Sequence, residues 1–237
     1  LSMSQVTRPN RTGLPGKQGM YDPALEHDAC GFGFIANIHN QPSHEIVNQA
    51  LQIVVNMDHR GAVGADPLAG DGAGILIQTP DKFMRKEFAA QGIEVPAMGD
   101  YAVGMVFLPR DQKVRDAGID AINRVTMAEG QIVLGWRDVP VDNSVLGESV
   151  KPNEPVIKQV LIARGPNTPD TDAFDRKLYV IRKQSHHLIW DADDTAWQSF
   201  YMPSLSSRTI VYKGLVLAGN LAKYYLDFQN PEFETAM

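Results

Sequence analysis

Residues 27–34 of this chain read His-Asp-Ala-Cys-Gly-Phe-Gly-Phe, and they include Cys30, the only cysteine among the 237 residues. A polar leader, residues 1–29, ends here, and its prolines and glycines are typical of irregular structure. The apolar, glycine-spaced residues 31–38 that follow are predicted to form a β-strand. Cleavage of the bond between Ala29 and Cys30 would therefore leave Cys30 as the first residue of a folded domain.

An N-terminal cysteine can act as a nucleophile without a separate base. Its α-amino group has a pKa of about 7.7–8.0, close to the value of about 8.5 for the thiol, and can accept the thiol proton. Gly31 and Gly33 would also let a substrate approach the backbone beside Cys30 closely. The alternative is a small core residue, because free cysteines are among the most buried residue types.

Arg60 belongs to a second candidate motif, Asp58-His59-Arg60-Gly61, which precedes a glycine-rich loop. The planar guanidinium of an arginine can bind a carboxylate through two hydrogen bonds. Arg60 is therefore a candidate to bind a small substrate or to fix the backbone at Cys30. A solvated loop arginine is the alternative, and the triplet alone does not decide between them.

Three other motifs are better explained as structure. Residues 70–74 (Gly-Asp-Gly-Ala-Gly) lead into a strand and lack the Lys-Ser or Lys-Thr of a phosphate-binding loop, so a tight turn is predicted. His186 and His187 are adjacent on a predicted helix and point about 100° apart, so they cannot share a metal ion. Residues 204–208 lack the Gly-x-Ser-x-Gly pattern of a serine nucleophile.

Composition excludes several classes of function. The 22 basic and 28 acidic residues give a net charge of −6 without a basic stripe, so no nucleic-acid partner is expected. No stretch approaches the roughly 18 apolar residues of a membrane span, and the start lacks the apolar segment of a signal peptide, so we expect a cytoplasmic protein with no membrane partner. One cysteine can form neither an internal disulfide nor a cysteine-rich zinc or iron–sulfur site, and no metal site is predicted.

Helix and strand signals alternate along most of the chain. Ser43 is predicted to begin one helix, and Thr79 to be the N-cap of another with Pro80 in its first turn. Further helices are predicted over residues 111–129, 170–190 and 218–225, and strands over 73–78, 101–109, 131–139, 155–164, 200–207 and 208–217. This alternation favours a parallel α/β sheet. Residues 230–234 (Asn-Pro-Glu-Phe-Glu) predict the start of a new helix. The sequence ends soon afterwards, so we expect it to be truncated within that helix.

The motifs together resemble the N-terminal region of the large (alpha) subunits of glutamate synthases. The resemblance is carried by CGFGFIANI at residues 30–38, by residues 43–78 with their HRGA, GADP and GDGAGIL motifs, and by SLSSRTIVYKG at residues 204–214. It implies a propeptide over residues 1–29 and a class II glutamine amidotransferase domain over residues 30–237, with its C-terminal part missing. The implied fold class is α+β, an incomplete N-terminal-nucleophile hydrolase-like αββα sandwich.

The resemblance also implies roles for individual residues. Cys30, freed by cleavage after Ala29, is expected to be the catalytic nucleophile that attacks the side-chain amide of glutamine. Arg60 matches an arginine near that nucleophile and is expected to bind glutamine or to position Cys30. The family continues into segments that provide a further glutamine-binding arginine and the oxyanion donors, so the isolated chain is expected to be nearly inactive.

The implied partners belong to the full-length parent. They are glutamine, the synthase domain and a small electron-delivering subunit, with FMN and an iron–sulfur cluster as cofactors of the parent and none in this chain. Two alternatives remain: a non-catalytic binding module that retains the amidotransferase shell, and a stand-alone amide hydrolase.

Overall fold

The structure of the protein, a computed structural model, describes residues 17–19, 31–58, 66–190 and 200–237. The helices in these parts are α1 (His44–Asn56), α2 (Asp81–Ala89), α3 (Gln112–Ala128), α4 (Thr171–Trp190) and α5 (Leu221–Tyr224). The strands are β1 (Ala73–Gln78), β2 (Tyr101–Leu108), β3 (Ile132–Asp138), β4 (Val156–Ala163), β5 (Tyr201–Ser206) and β6 (Thr209–Gly214). None of the helices in the described part of the chain is long and apolar enough to cross a membrane.

The described strands form two antiparallel sheets. One has the order β3-β4-β2-β5, and the other pairs β1 with β6. A mixed fold of helices and sheets is therefore confirmed, whereas the parallel sheet favoured by the alternating pattern is wrong. The reason is that two crossovers interleave. Helix α3 joins β2 to β3, and α4 joins β4 to β5; each helix connects two strands of the same direction, but a strand from the other pair lies between them.

Two apolar clusters lie on the two faces of the four-stranded sheet. One face of β2, with Ala102 and Val106, packs against α3 and α4. The other face, with Val103 and Met105, packs against β1, β6, α1 and α2. Because successive side chains of a strand point to opposite faces, a strand buried on both sides is apolar throughout. The nearly continuous apolar sequence of β2 follows from this central position.

The helix ends follow the cap signals of the sequence in two cases. The Ser43 hydroxyl accepts a hydrogen bond from the backbone N–H of Ile46 and begins α1. The Asp111 carboxylate accepts one from Val114 and begins α3, which ends before Gly130 at a φ of 76°. Such caps satisfy backbone groups that the first and last helical turns leave without partners, so local sequence is sufficient to predict them.

Two expected elements are wrong. Residues 31–38 form no strand within the described part, because their backbone is not paired along a neighbouring strand. Residues 230–234 do not begin a helix either. The Asn230 side chain instead accepts a hydrogen bond from the backbone N–H of Glu232, and Phe233 then packs in the core at 5.1 Å from the ring of Phe83. Burial of this aromatic ring outweighs the local cap signal.

Thr79 does not cap α2. The helix begins at Asp81, and the buried Thr79 hydroxyl has no hydrogen-bond partner among the described residues. A buried polar atom of this kind costs about 1–3 kcal/mol. We therefore expect Thr79→Val to raise the free energy of unfolding of this domain by about 1 kcal/mol, measured from the hydrogen exchange of core amides in β1 and β6.

The matched control is Thr126→Val. The Thr126 hydroxyl is equally buried but donates a 2.8 Å hydrogen bond to the carbonyl of Ile122. We expect this variant to lower the free energy of unfolding by about 1 kcal/mol. Equal destabilisation by the two substitutions would show that the Thr79 hydroxyl is in fact hydrogen-bonded.

Candidate active site

The three residues expected to form the site, Ala29, Cys30 and Arg60, lie outside the described residues. The structure does describe the chain on either side of them. Residues 31–58 follow Cys30 and end two residues before Arg60, and Asp66 begins the next described range. The structure therefore gives the geometry of the elements that hold these flanking residues.

The segment that follows Cys30 lies against α1. A Cβ atom built on Gly33 would be 2.7 Å from the Cγ2 methyl of Ile53, which is closer than two carbon atoms can approach without displacement. The large side chains on either side, Phe32 and Phe34, are 89% and 84% exposed. The lack of a side chain at Gly33 thus allows the backbone of this segment to lie directly against α1.

The same segment is also held by the residues at the other end of the chain. The backbone N–H of Asn37 donates a 2.8 Å hydrogen bond to the carbonyl of Ala236. Ser43 and Thr235 form an antiparallel bridge with N–O distances of 3.0 and 3.3 Å. The buried Thr235 hydroxyl accepts a hydrogen bond from the backbone N–H of Gln78 at the end of β1. Residues 235 and 236 therefore join the segment after Cys30 to the β1–β6 sheet.

Asp66 fixes the chain six residues after Arg60. One carboxylate oxygen accepts a hydrogen bond from the backbone N–H of Leu68, and the other accepts two from the N–H and hydroxyl of Ser149. The hydrogen bonds from Ser149 lower the pKa of the Asp66 carboxyl. Gly147 makes this contact possible, since a Cβ there would be 2.4 Å from the carboxylate. The glycine-rich loop is thus tied to the loop that precedes β4.

The glycines of residues 70–74 lie at the entry into β1, and the tight turn expected there lies just before them, where the N–H of Ala69 donates a 3.0 Å hydrogen bond to the carbonyl of Asp66. Gly72 has a φ of 109°, which only glycine adopts readily. A Cβ on Gly74 would be 2.6 Å from the Cβ of Lys213 on the paired strand β6. Both glycines are explained by the entry into β1, without a bound phosphate.

The serines of residues 204–208 are structural in the same way. The Ser204 hydroxyl accepts a hydrogen bond from Val211, and the Ser207 hydroxyl donates one to Asp175 on α4. The Ser206 hydroxyl accepts from the N–H of Arg208 in the turn between β5 and β6. These bonds join the two strands and α4, which agrees with the structural interpretation.

The two adjacent histidines lie on α4. The rings of His186 and His187 meet edge to face with centroids 6.3 Å apart. Within the described ranges, no three His, Cys, Asp or Glu side chains are grouped to hold a metal ion. Burial and the neighbouring positive charges lower the pKa of His186.

Sequence reasoning missed a buried polar cluster between the two sheets, which we call the Arg137 cluster. The Arg137 guanidinium donates to both carboxylate oxygens of Asp227 at 2.6 and 2.9 Å, to Gln159 at 3.0 Å and to Glu87 at 2.9 Å. The Tyr212 hydroxyl donates to Asp227 and accepts from Gln159, both at 2.8 Å. The polar residues inside the otherwise apolar strands β3 and β4 were the only signal for it in the sequence.

The electrostatics of the Arg137 cluster are those of a stable core rather than of a reactive site. Burial by itself would lower the pKa of Arg137, but the hydrogen bond and charge of Asp227 outweigh it, so the pKa lies above its usual value. Burial raises the pKa of Tyr212 well above the usual value, so this hydroxyl keeps its proton. Every charged group in the Arg137 cluster is hydrogen-bonded. The cluster connects the two sheets with α2.

A cavity of about 150 Å³ lies between the end of β6 and the loop before β4. Its walls are mostly apolar and include Phe107, Ile157 and Val216. The buried carboxylate of Glu154 also faces it, but this group already accepts hydrogen bonds from Tyr224 and Asn143. The cavity lies outside the segments that flank Cys30 and Arg60.

Comparison with known proteins identifies the class. The family model for class-II glutamine amidotransferases matches residues 30–237. The chain therefore belongs to the class-II glutamine amidotransferases.

The individual relatives are glutamate synthases. The chain is 43% identical over 223 residues to the glutamate synthase [NADPH] large chain of Bacillus subtilis, which covers 94% of this chain and 14% of that protein. It is 44% identical over 225 residues to glutamate synthase [NADH] of Schizosaccharomyces pombe, with shares of 93% and 10%. It is 40% identical over 208 residues to ferredoxin-dependent glutamate synthase 2 of Synechocystis, with shares of 88% and 13%.

These matches confirm the resemblance to glutamate synthases. They also show how little of those proteins this chain represents, since it spans 10% to 14% of the length of the three relatives. Their names contain NADPH, NADH and ferredoxin respectively, and the three are similar to this chain to nearly the same degree, at 43%, 44% and 40% identity.

Proposed function

We propose that this chain is the glutaminase domain of a glutamate synthase. It hydrolyses L-glutamine to glutamate and ammonia, and the ammonia is transferred to 2-oxoglutarate by the synthase domain of the parent. The observation that carries the proposal is the class-II amidotransferase match over residues 30–237, which begins at the only cysteine of the chain. The same coincidence supports a division into a propeptide, residues 1–29, and a catalytic domain from Cys30 onward.

The proposed fold is the αββα sandwich of N-terminal-nucleophile hydrolases. Two features support it: two antiparallel sheets packed over a common apolar cluster, and a helical layer of α3 and α4 on the outer face of one sheet. In such a fold the nucleophile belongs to the start of a strand, which the structure does not show over residues 31–38.

Cys30 is the nucleophile in this proposal. Once the bond after Ala29 is cleaved, the free α-amino group accepts the thiol proton, and the thiolate attacks the Cδ atom of the glutamine side chain. In the resulting tetrahedral intermediate the amide nitrogen takes up the proton held by the α-ammonium group, and the C–N bond breaks to release ammonia. Water then attacks the thioester, and the S–C bond breaks to release glutamate and to restore the thiol.

Arg60 is proposed to bind the α-carboxylate of glutamine or to position Cys30. A planar guanidinium suits two parallel hydrogen bonds to a carboxylate. The anchoring of Asp66 by Ser149 and Leu68 supports this role, because it fixes the chain shortly after Arg60. His59 and Asp58 have no proposed role.

The iron–sulfur cluster of the proposed parent does not fit this chain. An iron–sulfur cluster is held by several cysteine thiolates, and the chain has a single cysteine, which is already assigned as the nucleophile. We therefore place the iron–sulfur cluster elsewhere in the parent, and we propose that FMN and the electron-delivering subunit also bind there. Glutamine is the one ligand proposed for the residues of this chain.

The experiment that tests the function is glutamine hydrolysis by the protein as its gene encodes it. We expect release of glutamate and ammonia from L-glutamine and not from L-asparagine. Arg60→Lys should raise KM for glutamine by about 10-fold or more, because a lysine cannot replace two hydrogen bonds to a charged group worth about 1.5–3 kcal/mol each.

The matched control is Arg115→Lys. The Arg115 side chain lies on α3, in the other layer, and donates to the carbonyls of Pro109 and Arg110. We expect its KM to be unchanged. A folded protein that leaves glutamine intact would overturn the proposed function in favour of a binding module, and activity on unrelated amides with equal rates would favour a general amide hydrolase.

A further inference from the structure

Helix α1 is a fixed support beside the segment that follows Cys30. Val47 and Leu51 anchor its inner face in the core cluster. Its first residue, His44, makes a 2.9 Å hydrogen bond to the carbonyl of Phe233, which is itself fully buried. A side chain on this helix therefore has a defined place against neighbouring chain segments.

Ile53 is the side chain of α1 that meets the segment. Its Cγ2 methyl occupies the space where a Cβ of Gly33 would lie, at 2.7 Å from that position. A β-branched residue in a helix has one strongly preferred χ1 rotamer, so this methyl group cannot rotate away easily. Gly33 does not have a positive φ, and its lack of a side chain is thus required by this contact and not by an unusual backbone.

A second contact fixes the direction of the segment. Four residues after Gly33, the N–H of Asn37 is hydrogen-bonded to the carbonyl of Ala236. These two contacts hold the segment at residues 33 and 37. Cys30 precedes the first of them by three residues, which can span at most about 10 Å at about 3.3–3.6 Å per residue.

We propose that Ile53 is a positioning residue for Cys30 and acts through the backbone at Gly33. This inference rests on the proposed function, in which Cys30 must lie within attacking distance of the glutamine amide. A misplacement of about 1 Å in a catalytic group can cost about 100-fold in rate. The size and branching of the side chain at position 53 therefore set the reactivity of the thiol through the backbone at Gly33.

The test is a set of size exchanges at positions 33 and 53 in the protein as its gene encodes it. Gly33→Ala is expected to lower kcat by about 10-fold to 100-fold with little change in KM. Ile53→Leu removes the branch at Cβ and keeps the volume, so Gly33→Ala/Ile53→Leu should recover most of the loss. Ile53→Val keeps the branch, so Gly33→Ala/Ile53→Val should not recover. The rate of Cys30 alkylation by iodoacetamide should follow the same order.

Two substitutions control for general effects on packing. Gly219→Ala adds a methyl group where nothing lies within 4 Å, and Ile119→Ala removes apolar volume from α3 in the other layer. Both should leave kcat and the alkylation rate unchanged. If Gly33→Ala does not fold, the single variants decide the matter: Ile53→Leu should reduce kcat more than Ile53→Val does, and equal rates would overturn the inference.

The outcomes separate this inference from the proposed function. Suppose that the wild type hydrolyses glutamine, but that the two double variants recover equally or that neither recovers. This result would refute positioning by Ile53 and leave the glutaminase assignment intact. A wild type without glutaminase activity would refute that assignment. The alkylation rates alone would then support positioning if they follow the predicted order and refute it if they do not.

Discussion

Cys30→Ala is expected to reduce glutamine hydrolysis by a factor on the order of 10⁴ to 10⁶, the effect of removing a nucleophile from a hydrolase. No other side chain of the chain can form the proposed thioester, because Cys30 is its only cysteine. The substitution should leave KM or the Kd for glutamine nearly unchanged, since it removes the attacking atom and not the binding groups. Steady-state release of ammonia and equilibrium binding of glutamine measure the two quantities.

The alternative role of Cys30 as a core residue predicts a different result. Loss of a buried side chain would reduce the free energy of unfolding, with activity falling only as the protein unfolds. The residues directly after Cys30 do not resemble a core strand, since Phe32 and Phe34 are exposed. A Cys30→Ala protein that is destabilised yet retains turnover would contradict the catalytic role.

Asp227→Asn is expected to lower the free energy of unfolding of this domain by about 3–5 kcal/mol, the cost of leaving a buried charge without its partner. The side chains of Arg137 and Asp227 are 5% and 1% exposed, and they are joined by two hydrogen bonds. The neutral amide would also lose an acceptor for the Tyr212 hydroxyl. Hydrogen exchange of the amides of β3 and β4 measures the change.

An exposed ion pair provides the control for this substitution. Asp172 pairs with Arg208 on the surface, where its side chain is 70% exposed. Asp172→Asn should change the free energy of unfolding by less than about 1 kcal/mol. Arg137→Met/Asp227→Leu removes both charges and should be far less destabilising than Asp227→Asn. If Asp227→Asn costs no more than Asp172→Asn, the Arg137 cluster does not contribute as described.

Local signals predicted the elements whose causes are local. The start of α1 after Ser43, the helix over residues 111–129 and the apolar run of β2 depend on residues near in sequence, and each is confirmed. The arrangement of strands depends on which chains pair over long separations. The sequence pattern correctly predicted a helix between β2 and β3 and another between β4 and β5. It did not show that the two strand pairs interleave, and it therefore favoured a sheet in which neighbouring strands are parallel.

The candidate site was predicted by motif and resemblance, and the contacts that support it were not. Cys30 and Arg60 are assigned from their surroundings in the sequence, and both assignments stay predictions because these residues lie outside the described ranges. The sequence suggested that Gly33 admits a substrate. The structure shows instead that Ile53, twenty positions further along the chain, occupies the space beside it. No periodicity or motif encodes such a contact.

The central claim is that Cys30 is the N-terminal residue of the mature domain and forms a covalent bond with the substrate. It is tested most directly by peptide mass spectrometry after incubation with a glutamine analogue that carries an electrophilic diazoketone in place of the amide. We predict a peptide that begins at Cys30 and carries the label on its Sγ atom. A label on another residue, or on Cys30 in a peptide that still contains Ala29, would contradict it.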